Sequence, residues 1–317
     1  MSSPALRESQ GVTSKPEAST RPFRRDRLPV YPLRVTLSVV LITYNEESNL
    51  ARTLESVKPL VRDGQDEIIV VDSGSTDHTV EIAKSFGAKV FVEAWKGYAA
   101  QKNSAIEKAT GDWILSLDAD EAVSPDLAAH IQRAATNHDY GPFEWNLAPA
   151  FDVRFEDLRT EIQPLPLAFW VTRKNYFLGR WVKHGGLYPD RKLRLFARGG
   201  ARFDEKRAVH EDAQTNHNTA VVRTGCLLHY SYPTLSDYID HMNRYSSLGA
   251  EMIVAEGRTG FSVINIAIRP WFTFVYNYFF RLGFLDGRKG LLLHLYHAVY
   301  VSWKYAKAWE LGRSRKS

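Results

Sequence analysis

The chain of 317 residues contains a single cysteine, Cys226. That excludes a disulfide framework and a cysteine-built zinc site, and it suits a reducing compartment. Cys226 itself reads as a small buried apolar residue. No uninterrupted apolar run of about 18 residues occurs, so a simple membrane-spanning helix is not expected. The stretch from Met1 to Pro32 is rich in Ser, Pro and Arg and lacks an apolar h-region, so no secretory leader is expected. It reads as a disordered tail.

Acidic residues are scarce at both ends, which the formal net charge of +5 hides. Residues 1–34 carry seven Lys/Arg and three Asp/Glu. Residues 258–317 carry ten Lys/Arg against Asp286 and Glu310. The remaining 24 basic and 31 acidic residues give the middle a net charge of −7. A mildly acidic body is a poor nucleic-acid binder, and no nucleic-acid partner is expected. Basic ends are what an anionic membrane surface attracts.

What is present is apolar residues at 44% of the chain, enough for a sizeable core. Leu37-Ser38-Val39-Val40-Leu41-Ile42-Thr43 is an apolar, β-branched run of the kind buried on both faces of a parallel sheet. Leu50, Leu54, Val57 and Val61 then recur at helical spacing. Strands follow at Glu67–Val71, Lys89–Val92 and Trp113–Leu117, with helices between them and Gly87 and Gly111 as stops. This alternation predicts βαβ units on a parallel sheet. Ligands of such sheets sit beyond the carboxyl ends of the strands. Residues 141–170, interrupted by four prolines, read as an excursion from the core. Residues 175–212 read as loops and short strands around a site, and from Leu235 onward the pattern is helical.

Several groups could do chemistry. Asp118 and Asp120, at i and i+2 after the fourth strand, would project together in an extended segment. Hard oxygen ligands of this kind suit Mg²⁺ or Mn²⁺, with Glu121 as a third carboxylate, though a surface turn would also use aspartates. Asp72 ends the second strand, either to hydrogen-bond a base or ribose or to close an Asx turn with Ser73 and Ser75. Lys102, next to Asn103, faces either a phosphate or solvent. Arg191, Lys192 and Arg194 form a basic cluster able to clamp a diphosphate or an anionic acceptor, or to lie on a solvated strand. In His210-Glu211-Asp212, Glu211 or Asp212 could take a proton from an attacking hydroxyl. His210 or His229 could complete a metal shell. A plain polar loop is the alternative. Residues 261–310 hold fourteen aromatics interleaved with cations, the pattern of an interfacial segment or of a buried helix pair.

Val40-Leu41-Ile42-Thr43-Tyr44-Asn45-Glu46, Val71-Asp72-Ser73-Gly74-Ser75-Thr76-Asp77 and Leu117-Asp118-Ala119-Asp120-Glu121, in that order, resemble family 2 glycosyltransferases of GT-A fold. The likeness covers roughly residues 36–245. Gly97–Asn103, Asn175–Arg180, Tyr188–Phe196, Val209-His210-Glu211 and Arg281–Gly287 look closest to the branch that adds glucose to lipopolysaccharide-core heptose. The 141–170 segment looks longer than that branch usually has.

The resemblance implies an α/β GT-A domain over 35–245, after a basic tail at 1–34 and before amphipathic helices at 246–317. It implies donor contacts from Thr43, Asn45, Glu46, Asp72, Ser73, Lys102, Asn103, Asp118 and Arg191. A metal, Mg²⁺ or Mn²⁺, would be held by Asp118, Asp120 and His210. Glu211 would be the base, with Asp212 second. The expected reaction moves a hexose from a nucleotide sugar, a UDP-sugar foremost, to a hydroxyl of a lipid-linked or cell-envelope glycan, with inversion. The expected place is the cytoplasm, peripheral on the inner face of the cytoplasmic membrane. A polyprenyl-phosphate glycosyltransferase and a catalytically silent nucleotide-sugar-binding protein are the alternatives.

Overall fold

The structure, a computed structural model, describes residues 35–136, 166–205 and 212–314. The expected N-terminal tail and most of the 141–170 excursion lie outside the described residues, as do His210 and Glu211.

The first half follows the expectation closely. Strand β1 (Leu37–Thr43) pairs in parallel with β2 (Glu67–Asp72) on one side and β4 (Trp113–Asp118) on the other. A strand flanked on both sides, with helices over its faces, has no polar face to show, hence its apolar run. Strand β3 (Lys89–Val92) closes this edge, also in parallel, and is largely exposed. Helix α1 (Leu50–Val57) buries Leu50, Leu54 and Val57, as their spacing requires. Helices α2 (Thr79–Ser85) and α3 (Tyr98–Glu107) make the other crossovers. The parallel register sets Thr43 beside Asp72 and Ile42 beside Asp118. Three polar strand ends therefore share one edge.

The second half is assembled differently. After Asp118 come β5 (Glu121–Val123) and helix α4 (Pro125–Thr136). Strand β6 (Ala168–Phe177) pairs with β7 (Arg180–Trp181) and with β8 (Asp190–Ala197), both antiparallel. The 141–170 segment thus ends inside a core strand. Strands β9 (Arg202–Phe203) and β10 (Ala213–Gln214) form a small separate ribbon. Strand β11 (Thr219–Tyr232) lies parallel to β6, giving the order β3-β2-β1-β4-β8-β6-β11-β5.

This order requires curvature. Strands β4 and β5 stand four places apart. In a flat sheet that is roughly 19 Å, at about 4.8 Å per strand. Yet only Ala119 and Asp120 join them, and the three Cα–Cα steps from Asp118 to Glu121 reach about 11 Å at most. The sheet must curl until its far edge returns to the end of β4. Basic side chains of β8 and β6 and His229 of β11 are thereby brought against the Asp118–Glu121 turn.

Helix α5 (Leu235–Ala255) opens with a capping box in which Thr234 and Asp237 exchange hydrogen bonds. It runs unbroken through residue 245, so the helical region starts at Leu235, inside the span expected for the catalytic domain. A short helix, α6 (Arg269–Val275), is flanked by π-helical turns at Ile264–Ile268 and Tyr276–Phe280. The chain ends in α7 (Gly287–Ser314). Helices α5 and α7 pack through Ala250, Ile253, Val254 and Ala308. Phe177, Val182, Tyr238 and Leu293 tie both to the sheet. Among the described residues no helix is long and apolar enough to cross a membrane.

Candidate active site

Two cavities lie at the carboxyl edge of the sheet. The larger, about 890 Å³, is lined by Thr43, Tyr44, Glu46 and Ser73 from the ends of β1 and β2, and by Trp95, Tyr98 and Arg244. Trp95 meets Tyr98 edge to face at 4.8 Å, so the wall is aromatic. Burial holds the Glu46 carboxyl above the ordinary range; the negative fields of Asp120, Asp77 and Asp118 add to this, and a hydrogen bond from Asn49 opposes it. Glu46 therefore stands between this cavity and the aspartates of the next.

Two neighbouring residues are consumed by the loops. Asp72 is fully buried. Its carboxylate accepts from Gly74 and Ser75 backbone N–H groups at 2.9 and 2.8 Å and from Thr43 and Ser75 hydroxyls at 2.8 and 2.6 Å. A carboxylate has about four acceptor positions, and all are filled. Asp72 forms the Asx turn, and Ser73 is the residue that faces the cavity. Asn45 has a left-handed backbone (φ 54°), and its carboxamide accepts from the Thr76 N–H at 2.8 Å. It braces one loop on the other and does not line the cavity.

The smaller cavity, about 360 Å³, lies inside the curl. Asp118 is held by Lys102 at 2.8 Å and by Arg194. Glu121, fully buried, accepts from Arg194 at 2.8 Å, Arg173 at 3.1 Å and the Asp118 N–H at 3.1 Å. Burial resists ionisation of Asp118, but the Arg194 and Lys102 charges outweigh it and hold the carboxyl well below its usual range. Asp120 faces His229, with Oδ2 to Nε2 at 3.2 Å. Its carboxyl too is held below the usual range, burial being overcome chiefly by His229. Lys192 reaches Asp212 at 2.8 Å. The opposite wall is Tyr232, His241 and Tyr245 with His297 and Tyr300 of α7. Burial and then the Arg244 charge push the His241 imidazole down to about 4, so it is neutral at physiological pH.

The fold thus gathers Thr43, Glu46 and Ser73 in one cavity, and Lys102, Asp118, Asp120 and Asp212 in the other. Besides Asn45 and Asp72, two more expected donor residues fall outside both. Arg191 is exposed, because strand alternation turns it away from the face that carries Lys192 and Arg194. Asn103 is buried, exchanging hydrogen bonds with the Phe203 backbone at 3.0 and 2.9 Å and donating to Glu205 at 2.7 Å. It fastens α3 to β9. Glu121, expected as a third metal carboxylate, is instead the acidic core of the Arg173–Arg194 cluster. Arg173, Trp95 and the α5/α7 wall were not singled out from sequence. Nothing local marks them, since they reach the site only through curvature and helix packing.

Among the described residues no cluster of three or more His, Cys, Asp or Glu forms a complete metal cage. Asp120 and His229 nevertheless suit two corners of an octahedral ion. Ligands about 2.1 Å from an ion at right angles are about 3.0 Å apart, close to the 3.2 Å observed. His229 Nδ1 lies 2.7 Å from Asn175 Oδ1, a contact that orients the ring so that Nε2 points at Asp120. Such a pair leaves positions for water and phosphate oxygens, as Mg²⁺ prefers.

A curled α/β sheet with an aromatic cavity and a cation-lined cavity at its carboxyl edge is the arrangement of a nucleotide-sugar transferase of GT-A type. The chain belongs to Glycosyl transferase family 2, whose model matches residues 38–198. It is 28% identical over 282 residues to the lipopolysaccharide core biosynthesis glycosyltransferase LpsC of Rhizobium meliloti, covering 87% of this chain and 93% of that one. It is 31% identical over 278 residues to an uncharacterized glycosyltransferase of Rickettsia bellii, covering 87% of each. Among solved structures it is similar to S. aureus TarS 1–349 in complex with UDP, with 16% identity, coverage of 88% and 92%, and a TM-score of 0.41. It is similar also to the mannosyltransferase PcManGT of Pyrobaculum calidifontis in complex with GDP-Man and Mn²⁺, with 16% identity, coverage of 91% and 88%, and a TM-score of 0.45.

Proposed function

We propose that this family 2 glycosyltransferase moves a hexose from a nucleoside-diphosphate sugar, a UDP-sugar foremost, to a hydroxyl of a lipopolysaccharide-core or related cell-envelope glycan. The observation that carries this reading is the division of labour between the two cavities. The larger has aromatic and carboxyl groups suited to a base and ribose. The smaller sets Lys102, Lys192 and Arg194 beside Asp118 and Asp120, a composition suited to a diphosphate and its counter-ion. The full-length likeness to LpsC, a lipopolysaccharide core biosynthesis enzyme, supports the acceptor class.

In this reading the base and ribose enter beside Tyr44, Trp95 and Tyr98, and the diphosphate meets the Lys192 ammonium. Asp118 keeps Lys102 and Arg194 in place. Asp120 and His229 would hold Mg²⁺ or Mn²⁺, which when bound neutralises charge developing on the leaving diphosphate. Asp212 is engaged by Lys192 at 2.8 Å; Glu211, one residue earlier and outside the described residues, is the base that the family resemblance implies. It accepts the proton of the acceptor hydroxyl as that oxygen attacks the anomeric carbon from the face opposite the diphosphate. A single displacement of this kind inverts the configuration. The work belongs at the inner face of the cytoplasmic membrane, in keeping with one free cysteine.

The test is a panel of nucleotide sugars read by thermal shift with and without Mn²⁺. The true donor gives the largest metal-dependent stabilisation, because ligand linkage scales with occupancy. Equal, metal-independent shifts across the panel would overturn the donor reading. Loss of UDP-sugar hydrolysis in Asp120→Ala would exclude a catalytically silent binder.

A further inference from the structure

Scattered apolar residues on a surface need no explanation, but a contiguous patch does. Of the 21 large hydrophobic residues exposed among the described residues, twelve fall within the 25-residue stretch from Phe261 to Leu285. Trp271, Phe272 and Phe280 are 59%, 60% and 75% exposed. Within the stretch only Pro270 and Gly283 are buried. The segment is therefore not the buried helix pair that is the alternative reading of its composition.

Three further features narrow what covers it. Phe261–Leu285 contains no acidic residue, and its two charges are Arg269 and Arg281. The next acid, Asp286, is buried and spent on the neighbouring loop, accepting from the Lys183 and His184 N–H groups at 3.1 and 2.8 Å and meeting the His184 ring at 2.9 Å. The exposed charge of this face, including Arg288, is thus positive. The segment is also fixed at both ends. The Ser302 hydroxyl donates to the Ile266 carbonyl at 2.7 Å, and the Gly185 N–H donates to the Arg281 carbonyl at 2.8 Å. Its apolar face is presented on a rigid mount, so it need not be ordered at the moment of docking.

We propose that Phe261–Leu285 is an interfacial anchor that lies in the headgroup region of an anionic lipid bilayer. A second copy of this chain is the poorer occupant, because it would oppose arginine to arginine. A bilayer with anionic headgroups offers both an apolar layer for Trp271, Phe272 and Phe280 and counter-charge for Arg269, Arg281 and Arg288. Tyr276 and Trp271 have the amphipathic rings that favour this depth. Two π-helical turns give the segment an irregular pitch. Helix α7 packs against this segment and also sends His297 and Tyr300 into the smaller cavity. Docking would therefore set the cavity wall beside the membrane, where a lipid-borne acceptor would arrive.

The experiment is co-sedimentation of the full chain with phosphatidylcholine vesicles, with and without phosphatidylglycerol. Wild type should bind the anionic vesicles and be released by raised salt. The variant Trp271→Ser/Phe272→Ser/Phe280→Ser should bind on the order of a hundredfold more weakly. Its melting curve should overlay that of wild type, because the replaced side chains are exposed. A second variant, Arg288→Glu, should lose the preference for phosphatidylglycerol without touching the apolar contact. Undiminished binding by the triple variant would overturn the proposal. So would a lipid-free dimer that the triple variant dissolves while wild type ignores vesicles. Binding needs neither donor nor metal, so its failure would leave the hydrolysis and thermal-shift tests standing.

Discussion

Replacing Glu121 by Gln separates a structural carboxylate from a catalytic one next to the Asp118-Ala119-Asp120 turn. One oxygen of Glu121 accepts from Arg194 at 2.8 Å and Arg173 at 3.1 Å; the other accepts from the Asp118 N–H at 3.1 Å. A glutamine there must aim its NH₂ either at two guanidinium groups or at the Asp118 N–H, so a donor meets a donor either way. Buried Arg194 and half-buried Arg173 each lose one of two carboxylate partners, keeping Asp118 and Asp190. Removing one partner of a buried ion cluster costs about 3–5 kcal/mol. At about 2–4 °C per kcal/mol for a domain of this size, melting should fall by roughly 6–20 °C. Arg194 has side-chain exposure of only 5%. The double variant Glu121→Gln/Arg194→Met should therefore recover part of the loss, because it removes the buried cation that has lost a partner. Thermal unfolding followed by circular dichroism measures all three proteins. If Glu121→Gln melts like wild type but loses turnover, the carboxylate acts on substrate or metal and the structural assignment is wrong.

Asp120→Asn should leave the melting temperature almost unchanged but abolish the Mn²⁺-dependent part of the nucleotide-sugar thermal shift; an intact metal response would move the ion elsewhere. Glu211→Gln should lower turnover by about 10²–10⁴-fold while donor binding persists, and wild-type turnover would remove Glu211 as base. Burial opposes the Glu67 charge, but hydrogen bonds from Lys89, Ser38 and Thr110 overcome it and hold the carboxyl at about 2, against an ordinary value of 4.5. A carboxyl depressed in the folded state stabilises above its unfolded pKa and loses that contribution as pH falls. Glu67→Gln should therefore flatten the acid limb of the stability curve between about 4.5 and about 2, and an unchanged limb in acid titration would refute this. Gly225 has φ 79°, and a Cβ there would sit 2.2 Å from the Leu127 backbone nitrogen. Gly225→Ala should cost about 1–3 kcal/mol in denaturant unfolding, and a neutral effect would show that α4 can shift away.

The sequence by itself determined the parallel half of the sheet. Val39, Val40 and Leu41 are buried because a strand paired on both sides and covered on both faces has nowhere to put a polar side chain. The regular spacing of Leu50, Leu54 and Val57 likewise fixed the inward face of α1. Since ligands collect at the carboxyl ends of parallel strands, the placing of Asp118 and Asp120 at the site was local information too. What those residues do there was not local. Asp118 is paired with Arg194, 76 positions away, and Glu121 with Arg173, 52 positions away. The first pairing arises from the antiparallel docking of β8 on β4, the second when the sheet curls back on itself. A two-residue connection between strands four places apart forces that curl, and no periodicity in the chain announces it. The same closure spent Glu121 on arginines and left Asp120 with His229. Tertiary structure also decided the exposure of the C-terminal aromatics. Their composition fits a buried helix pair as well as an interfacial segment, and only the folded chain leaves Phe261–Leu285 uncovered.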